Sequence, residues 1–342
     1  MTAPPRLPLR LPDDPPAALL LRAARGLAPG WEDAEQATVE PVEGGITNLL
    51  FRLSAPGRPT VLVRRYGHNT ELVINRDAEN ALFARLSALG VSPPLHGLFE
   101  NGRVEGWLDG HRAMTPAEMA APEHQHNIAR ALRRWHSLPV EGPPSLWDTL
   151  TRWLTKAAAL EFEGGEDRAR HAALDLPGRL AALNALREEV EAAADTLQTP
   201  GGQLGRRVVL AHNDLLSGNI LIGPDPALLR FIDYEYAAPS YAAADLANHL
   251  NEYAGFEADY DRDFPDAAAR RRLVQAYLGE GAAEDEVREL GAFVERLLIP
   301  NHLFWGAWSV IQARYSPISF DFLGYAERRF GGVGWHRRML GR

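Results

Sequence analysis

Asp214, Asn219 and Asp233 are residues whose types and spacing can move a phosphoryl group. They lie in the run His212-Asn213-Asp214-Leu215-Leu216-Ser217-Gly218-Asn219 and, after a short apolar stretch, in Phe231-Ile232-Asp233. Phosphoryl-transfer loops place an Asp to accept the proton of an attacking hydroxyl, an Asn five positions later on a metal ion, and a second Asp beyond a hairpin on the same metal cluster. Asp214 fits the base, and Asn219 and Asp233 fit the metal ligands. Mg²⁺ takes few protein groups and completes its shell with phosphate oxygens and water, so one Asp and one Asn suffice. Each residue alone has a plainer reading, an Asx turn at His-Asn-Asp and a cap at Asp233. Their order within a strand pattern favours the chemical one.

The elements that must position these groups are legible around them. Residues 208–211 and 220–222 are β-rich and apolar, Gly223-Pro224-Asp225-Pro226 is a turn signal, and residues 228–232 form another apolar run. Strands packed side by side would hold all three side chains at one end of a small sheet. Upstream, residues 48–53, 60–66 and 102–107 read as strands and 76–89 as an amphipathic helix. From Thr115 onward helical periodicity dominates, over 123–137, 146–160 and 180–197. Residues 164–167 and 199–205 read as exposed loops, and no internal repeat is present.

The β-rich first part is the place for a nucleotide. In Val42-Glu43-Gly44-Gly45-Ile46-Thr47-Asn48, the paired glycines Gly44 and Gly45 let backbone approach phosphates, and Thr47 and Asn48 offer polar contacts. A Gly-Gly pair is also a common hairpin turn. A nucleotide lobe of this kind needs a strand cation, oriented by a helix carboxylate. Lys156, deep in the helical part, is the only lysine, so Arg64 is the candidate cation and Glu79 its expected partner. Strand alternation sends Arg64 and Arg65 to opposite faces, so one of them can reach the phosphates.

A third constellation lies near the C-terminus. Trp305 and Trp308 stand three positions apart around Gly306, followed by Phe320, Phe322 and Tyr325. On a helix the two indoles share a face. Clustered aromatics are commonly core, but aromatic faces also bind ammonium groups, and Gly306 would thin the helix surface as a pocket wall requires. Glu252 would supply the matching charge. An alkylammonium alcohol is the substrate chemistry this suggests.

At 342 residues and 46% hydrophobic content, the chain can bury a substantial core in one bilobal unit or two domains. A net charge of −9 argues against nucleic acid as a partner, and Arg270 to Arg272 and Arg337-Arg338 read as solvated helix faces. No cysteine is present, which removes disulfides and thiol chemistry. No apolar run approaches membrane-spanning length and the Pro-rich start is not organised as a signal peptide, so a cytoplasmic protein without membrane insertion is expected.

Taken together, these motifs resemble the choline/ethanolamine kinase family from about residue 43 to 330. The matching stretches are Gly44 to Asn48, Val61 to Arg64, Arg76 to Glu79, His212 to Asn219, Phe231 to Tyr236, Asp245 to Glu252, Trp305 to Trp308 and Phe320 to Ala326. The resemblance implies an α+β, protein-kinase-like bilobal fold, with a nucleotide-binding lobe over residues 1–107 and a catalytic and substrate-binding lobe over 108–342. It implies ATP and Mg²⁺ as cofactors, a small amino alcohol as substrate, and an arginine, here Arg64, at the nucleotide site. It also places Glu235 and Tyr236 beside Asp214, Glu252, Trp305, Trp308, Phe320 and Tyr325 at the substrate. Leu216, where choline kinases commonly carry glutamine, leans toward the ethanolamine branch, as do Asn251-Glu252-Tyr253-Ala254-Gly255 and the Ser319 to Ala326 run. Choline kinase is the alternative, with an aminoglycoside-type phosphotransferase or a nucleotide-binding pseudokinase behind it. The N-terminal extension of many relatives shrinks here to a Pro-rich lead and a helix near 17–24, so dimer contacts are not carried over.

Overall fold

The computed structural model describes residues 3–42, 48–67 and 70–341, and the chain divides into two compact units, Met1–Arg112 and Ala113–Arg342. The first contains β1 (Arg6–Leu7), α1 (Ala17–Leu27), β2 (Thr38–Val42), β3 (Asn48–Ser54), β4 (Val61–Tyr66), α2 (Arg76–Ala88), β5 (Leu95–Phe99) and β6 (Gly102–Gly106). Its strands form one sheet in the order β1-β5-β6-β4-β3-β2, antiparallel except for the β1–β5 pair.

Strand alternation decides what each face of that sheet carries. Val61 and Val63 of β4 join Val104 of β6 and Leu53 of β3 against Leu20, Ala23, Ala24 and Leu27 of α1, closed by Trp31. Leu62 and Arg64 take the other parity. The β4–β6 register sets Arg64 opposite Arg103 and Leu62 opposite Glu105, so three charged side chains share one face. Arg65 pairs with Asp13, as the alternation of Arg64 and Arg65 requires. The helix expected over 76–89 forms as α2, its N-terminus capped by the Asn75 side chain accepting from the Ala78 N–H.

After β7 (Arg112–Ala113), the second unit is mainly helical: α3 (Pro116–Ala120), α4 (Pro122–Trp135), α5 (Leu146–Ala158), α6 (Gly165–Ala173), α7 (Leu176–Asp195) and α8 (Pro200–Arg206). Four short strands follow, β8 (Val208–Ala211), β9 (Ile220–Ile222), β10 (Arg230–Phe231) and β11 (Ala238–Tyr241). The chain closes with α9 (Ala242–Glu252), α10 (Tyr260–Asp263), α11 (Ala267–Leu278), α12 (Glu284–Tyr315) and α13 (Phe322–Met339). β8 pairs antiparallel with β11 and β9 with β10. Every residue of α9 is buried, so this helix is the internal post of the unit.

Three expectations are corrected. Residues 199–205 are not an exposed loop: Thr199 caps α8, Pro200 opens it, and Gly201, Gly202 and Gly205 are buried against Glu286, Glu289 and Leu290 of α12. Three glycines removed the apolar period that reveals a helix, although Thr-Pro is itself a start signal. Residues 165–167 likewise open α6, which buries no side chain and so shows no apolar stripe. Gly306 does not thin a pocket wall; a Cβ there would lie inside van der Waals contact of the Phe330 ring, so this glycine lets α12 and α13 approach. Gly306→Ala should therefore lower stability by about 1–3 kcal/mol through overpacking, read as a shifted denaturant midpoint. An unchanged midpoint would show that Phe330 swings aside without cost.

Candidate functional site

The loop between β8 and β9 carries Asp214, and α9 pins it from beneath. Asp245, Asn248 and His249 stand at i, i+3 and i+4, on one face of the helix. Asp245 accepts the backbone N–H of His212 at 2.7 Å and that of Asn213 at 2.8 Å. Asn248 accepts the Leu215 N–H at 2.8 Å, and His249 donates from Nδ1 to the Leu215 carbonyl at 2.9 Å. The backbone on both sides of Asp214 is thereby fixed. Asn213 sits at φ 64°, a left-handed position that Asn tolerates, and its side-chain amide donates to the Tyr236 carbonyl at 2.8 Å.

Ile232 is clamped from two directions, which fixes Asp233 next to it. Its N–H donates to the Asn219 carbonyl at 3.0 Å, and its own carbonyl accepts from His212 Nε2 at 2.9 Å. Burial pushes the His212 pKa down, so the ring is neutral with its proton on Nε2. Asp233 follows at φ 65°. Asn219 turns its amide nitrogen to Asp214, reaching the backbone carbonyl at 2.8 Å and Oδ2 at 3.0 Å, so its Oδ1 is the side-chain atom not directed at Asp214. The structure thus brings Asp214 and Asn219 into contact and sets Asp233 beside Asn219 through the backbone.

Negative charge is concentrated here. Burial, then Glu252, Asp233 and Glu235, push the Asp214 carboxyl well above the ordinary carboxylate range. Such a cluster is unfavourable until cations enter it. Among the described residues, no group of three or more His, Asp or Glu side chains forms a ready metal cage.

The aromatic residues assemble beside these acids. Trp308 donates from Nε1 to the Tyr236 hydroxyl at 2.7 Å, and the Tyr236 ring meets Trp305 at 5.2 Å and Trp308 at 6.4 Å, both edge to face. Trp305 and Trp308 are themselves 5.3 Å apart, as their helical spacing predicts. Trp153 of α5, which the sequence reading left in the helical background, packs at 6.2 Å from Tyr236. Phe322 connects Trp308 to Phe320, and Phe320 reaches Tyr325 at 6.0 Å. Glu252 is not a bare acid: its Oε1 accepts from Arg329 at 3.1 Å.

In the first unit, Arg64 is buried and its Nε donates to Glu105 at 2.7 Å. Glu79 contacts Arg103 at 2.6 Å and Arg76 at 2.7 Å, while Arg103 also reaches Glu105 at 3.2 Å. Burial alone would raise the Glu79 carboxyl, but Arg103, Arg76 and Arg64 bring it down to about 2. Arg64 thus pairs directly with Glu105 and Glu79 with Arg103 and Arg76, while Arg64 acts on Glu79 through its charge; Arg103 and Glu105 were missed. The signal for them was the parity of Gly102-Arg103-Val104-Glu105, readable only with the strand register. Asn48 accepts from Arg76 Nη2 at 3.2 Å, and Gly44, Gly45 and Thr47 lie outside the described residues.

A family model described as choline/ethanolamine kinase matches residues 39–332. The chain belongs to the choline/ethanolamine kinase family. It is 33% identical to a probable ethanolamine kinase of Arabidopsis thaliana over 95% of this chain and 85% of that protein. It is 31% identical to the probable choline kinase 1 of the same plant over 94% of each chain. Among solved structures, a Plasmodium vivax ethanolamine kinase superposes with a TM-score of 0.76 at 26% identity, covering 88% of this chain and 83% of that one. This choline/ethanolamine kinase family member has the expected β-rich first unit and helical second unit, and as a family member it is a phosphotransferase with an alcohol acceptor. No helix among its described residues is long and apolar enough to cross a membrane. Its sequence reading missed His136, which donates from Nε2 to Asp245 at 3.0 Å and is braced by the Tyr277 hydroxyl at 2.7 Å. A lone His at the end of an amphipathic helix gave no signal of that role.

Proposed function

We propose that this kinase transfers the γ-phosphoryl group of ATP to the hydroxyl of ethanolamine, with Asp214 as the base. The observation that carries the reading is the acidic cluster of Asp214, Asp233, Glu235 and Glu252 beside the Tyr236, Trp305 and Trp308 rings. A small cation bearing a hydroxyl satisfies both parts: its ammonium offsets the acids and packs on aromatic surface, and a primary ammonium has three N–H donors for carboxylates.

In this reading Asp214 orients the substrate hydroxyl and takes its proton as the oxygen attacks the γ-phosphorus and ADP leaves. Asn219 donates its amide N–H to Asp214, and its oxygen together with Asp233 would hold Mg²⁺, which would offset charge on the phosphate oxygens when bound. The donor set of one amide oxygen and one carboxylate suits an ion that completes its shell with phosphate and water. In the first unit, Arg64 and Asn48, with the Gly44-Gly45-Ile46-Thr47 sequence, would hold the nucleotide, and Glu79 would keep the arginines in place. Phe320 and Tyr325 close the substrate side with Trp305 and Trp308.

Choline is the second reading, favoured by the number of aromatic rings around Tyr236, because a trimethylammonium has no N–H donor and depends on ring faces. The test is kcat/KM for ethanolamine and choline side by side, with kanamycin as outgroup. Preference for ethanolamine is expected. Preference for choline would transfer the same mechanism to the other substrate, and activity on kanamycin alone would overturn the amino-alcohol reading. Trp305→Ala and Trp308→Ala should each raise KM for the amino alcohol by roughly 3- to 30-fold, corresponding to the loss of one ammonium–ring contact. An unchanged KM would return those rings to a purely packing role.

A further inference from the structure

Arg329 is the most deeply buried charge of the second unit that the proposed mechanism leaves unused. It lies on α13 with no exposed surface, and its neighbours come from three helices. Nη1 donates to Glu252 Oε1 at 3.1 Å and to the Tyr325 hydroxyl at 3.0 Å. Nη2 donates to Asn301 Oδ1 on α12 at 2.7 Å. Asn301 Oδ1 also accepts from Asn251 of α9 at 2.9 Å, which fixes the acceptor that fixes the guanidinium. Glu252 Oε1 accepts Asn248 Nδ2 at 3.4 Å, and Asn248 holds the Leu215 N–H next to Asp214. A continuous set of hydrogen bonds thus runs from the Asp214 loop through Asn248 and Glu252 to Arg329.

The cost of this arrangement points to its use. Taking a guanidinium wholly out of water is expensive, and a buried pair contributes little stability over a well-packed apolar one. A packing role alone would be met by an apolar residue of similar length. What the arginine adds is a fixed donor on one oxygen of Glu252. Glu252 sits among like charges, since it raises the Asp214 carboxyl.

We propose that Arg329 is a positioning residue for recognition of the substrate ammonium: it holds Glu252 Oε1 in place, so that the second oxygen is presented to the amine. This rests on the reading of the site as one for an amino alcohol. Arg329 touches no reacting atom, so its removal acts on amine binding and leaves nucleotide binding and the chemical step in place.

The test is steady-state kinetics of the full chain with ethanolamine and ATP, for wild type, Arg329→Met, Arg329→Lys, Glu252→Gln and the double variant Glu252→Gln/Arg329→Met. Wild-type activity on ethanolamine or choline is the control for the underlying reading; its absence would sink that reading, whatever Arg329 does. Given activity, Arg329→Met should raise KM for ethanolamine about tenfold or more, while KM for ATP and kcat stay within about twofold. Arg329→Lys, which keeps the charge and loses the fork, should recover most of the loss, to within about threefold of wild type. In the double variant the arginine change should add less than about twofold to the Glu252→Gln effect, because the two residues act as one unit. If Arg329→Met does not fold, the lysine variant decides alone through the same split between the two KM values. Equal changes in both KM values and kcat, additive effects in the cycle, or a lowered KM for ethanolamine would each overturn the proposal; the last would make Arg329 a charge that merely repels the substrate.

Discussion

A folded Asp214→Ala protein should lose about 10²- to 10⁴-fold in turnover while binding ATP as the wild type does, the usual effect of removing a general base. Isothermal titration with an ATP analogue and a coupled ADP assay read the two halves separately, and near-normal turnover would remove Asp214 from the mechanism. The pH profile carries a second part of this result. Burial and the charges of Glu252, Asp233 and Glu235 raise the Asp214 carboxyl, so in the free enzyme it is protonated at pH values where an ordinary carboxylate is ionised. A protonated base cannot accept the substrate proton, so kcat/KM should fall on the acid side from a pH above the usual carboxylate range. In the proposed reading, entry of the ammonium and of Mg²⁺ would add positive charge and bring that value down, so kcat should persist to lower pH than kcat/KM. Glu235→Gln, removing one like charge, should move the acid limb of kcat/KM downward.

Asp245→Asn should be nearly as damaging, by a different route. One Asp245 oxygen accepts both the His212 N–H and His136 Nε2, and the other accepts the Asn213 N–H. An amide presents a donor to one of these donors, and breaking a fully buried charged set costs about 3–5 kcal/mol. If the chain still folds, loss of the tether displaces Asp214, and a misplacement near 1 Å is enough for about a 10²-fold loss in turnover. Equilibrium unfolding and kinetics of Asp245→Asn check both effects, and wild-type values in both would show the tether to be redundant. Burial would raise the Asp245 pKa, but the hydrogen bonds it accepts from His136 and from the His212 backbone N–H hold it below the ordinary value. A carboxyl lowered in the folded state adds stability above its unfolded pKa, near 4, and that stability fades as pH falls through the folded value. The wild type should therefore lose stability toward acid from about pH 4 downward, and Asp245→Asn should show a flatter curve there.

How much of this was legible before the coordinates depended on the kind of signal. Strands 208–211 and 220–222 emerged at the expected bounds because short β-branched runs flanked by turn residues declare themselves. Asp214 and Asn219 were singled out by spacing and meet in the structure, and Trp305 and Trp308, singled out by helical period, lie side by side. The missed residues act at long range: His136 meets Asp245 across 109 positions, and Arg329 meets Glu252 across 77. Such pairs leave no local pattern, and nothing in a linear sequence says which of many arginines is wholly buried. The α8 helix was missed for the opposite reason, since its three glycines are chosen for contact with α12 and locally argue against a helix.

The five clustered charges of the first unit, on β4, β6 and α2, respond to acid and base very differently from the acids around Asp214. Three are arginines, which keep their protons throughout the range in which enzymes are assayed. The others are carboxylates whose burial, which would raise them, is outweighed by those arginines; Glu105 titrates below its ordinary value and Glu79 only near 2. Arg64, Arg76 and Arg103 against Glu79 and Glu105 leave one positive charge that is constant across ordinary buffers. This charge set is in that sense proton-inert, and under the proposed reading its attraction for phosphate is one that no pH change switches off. Whatever pH dependence the enzyme shows between weakly acidic and weakly basic buffer therefore comes from groups other than these five, among them His96 of the first unit, whose pKa burial lowers, and the acids around Asp214.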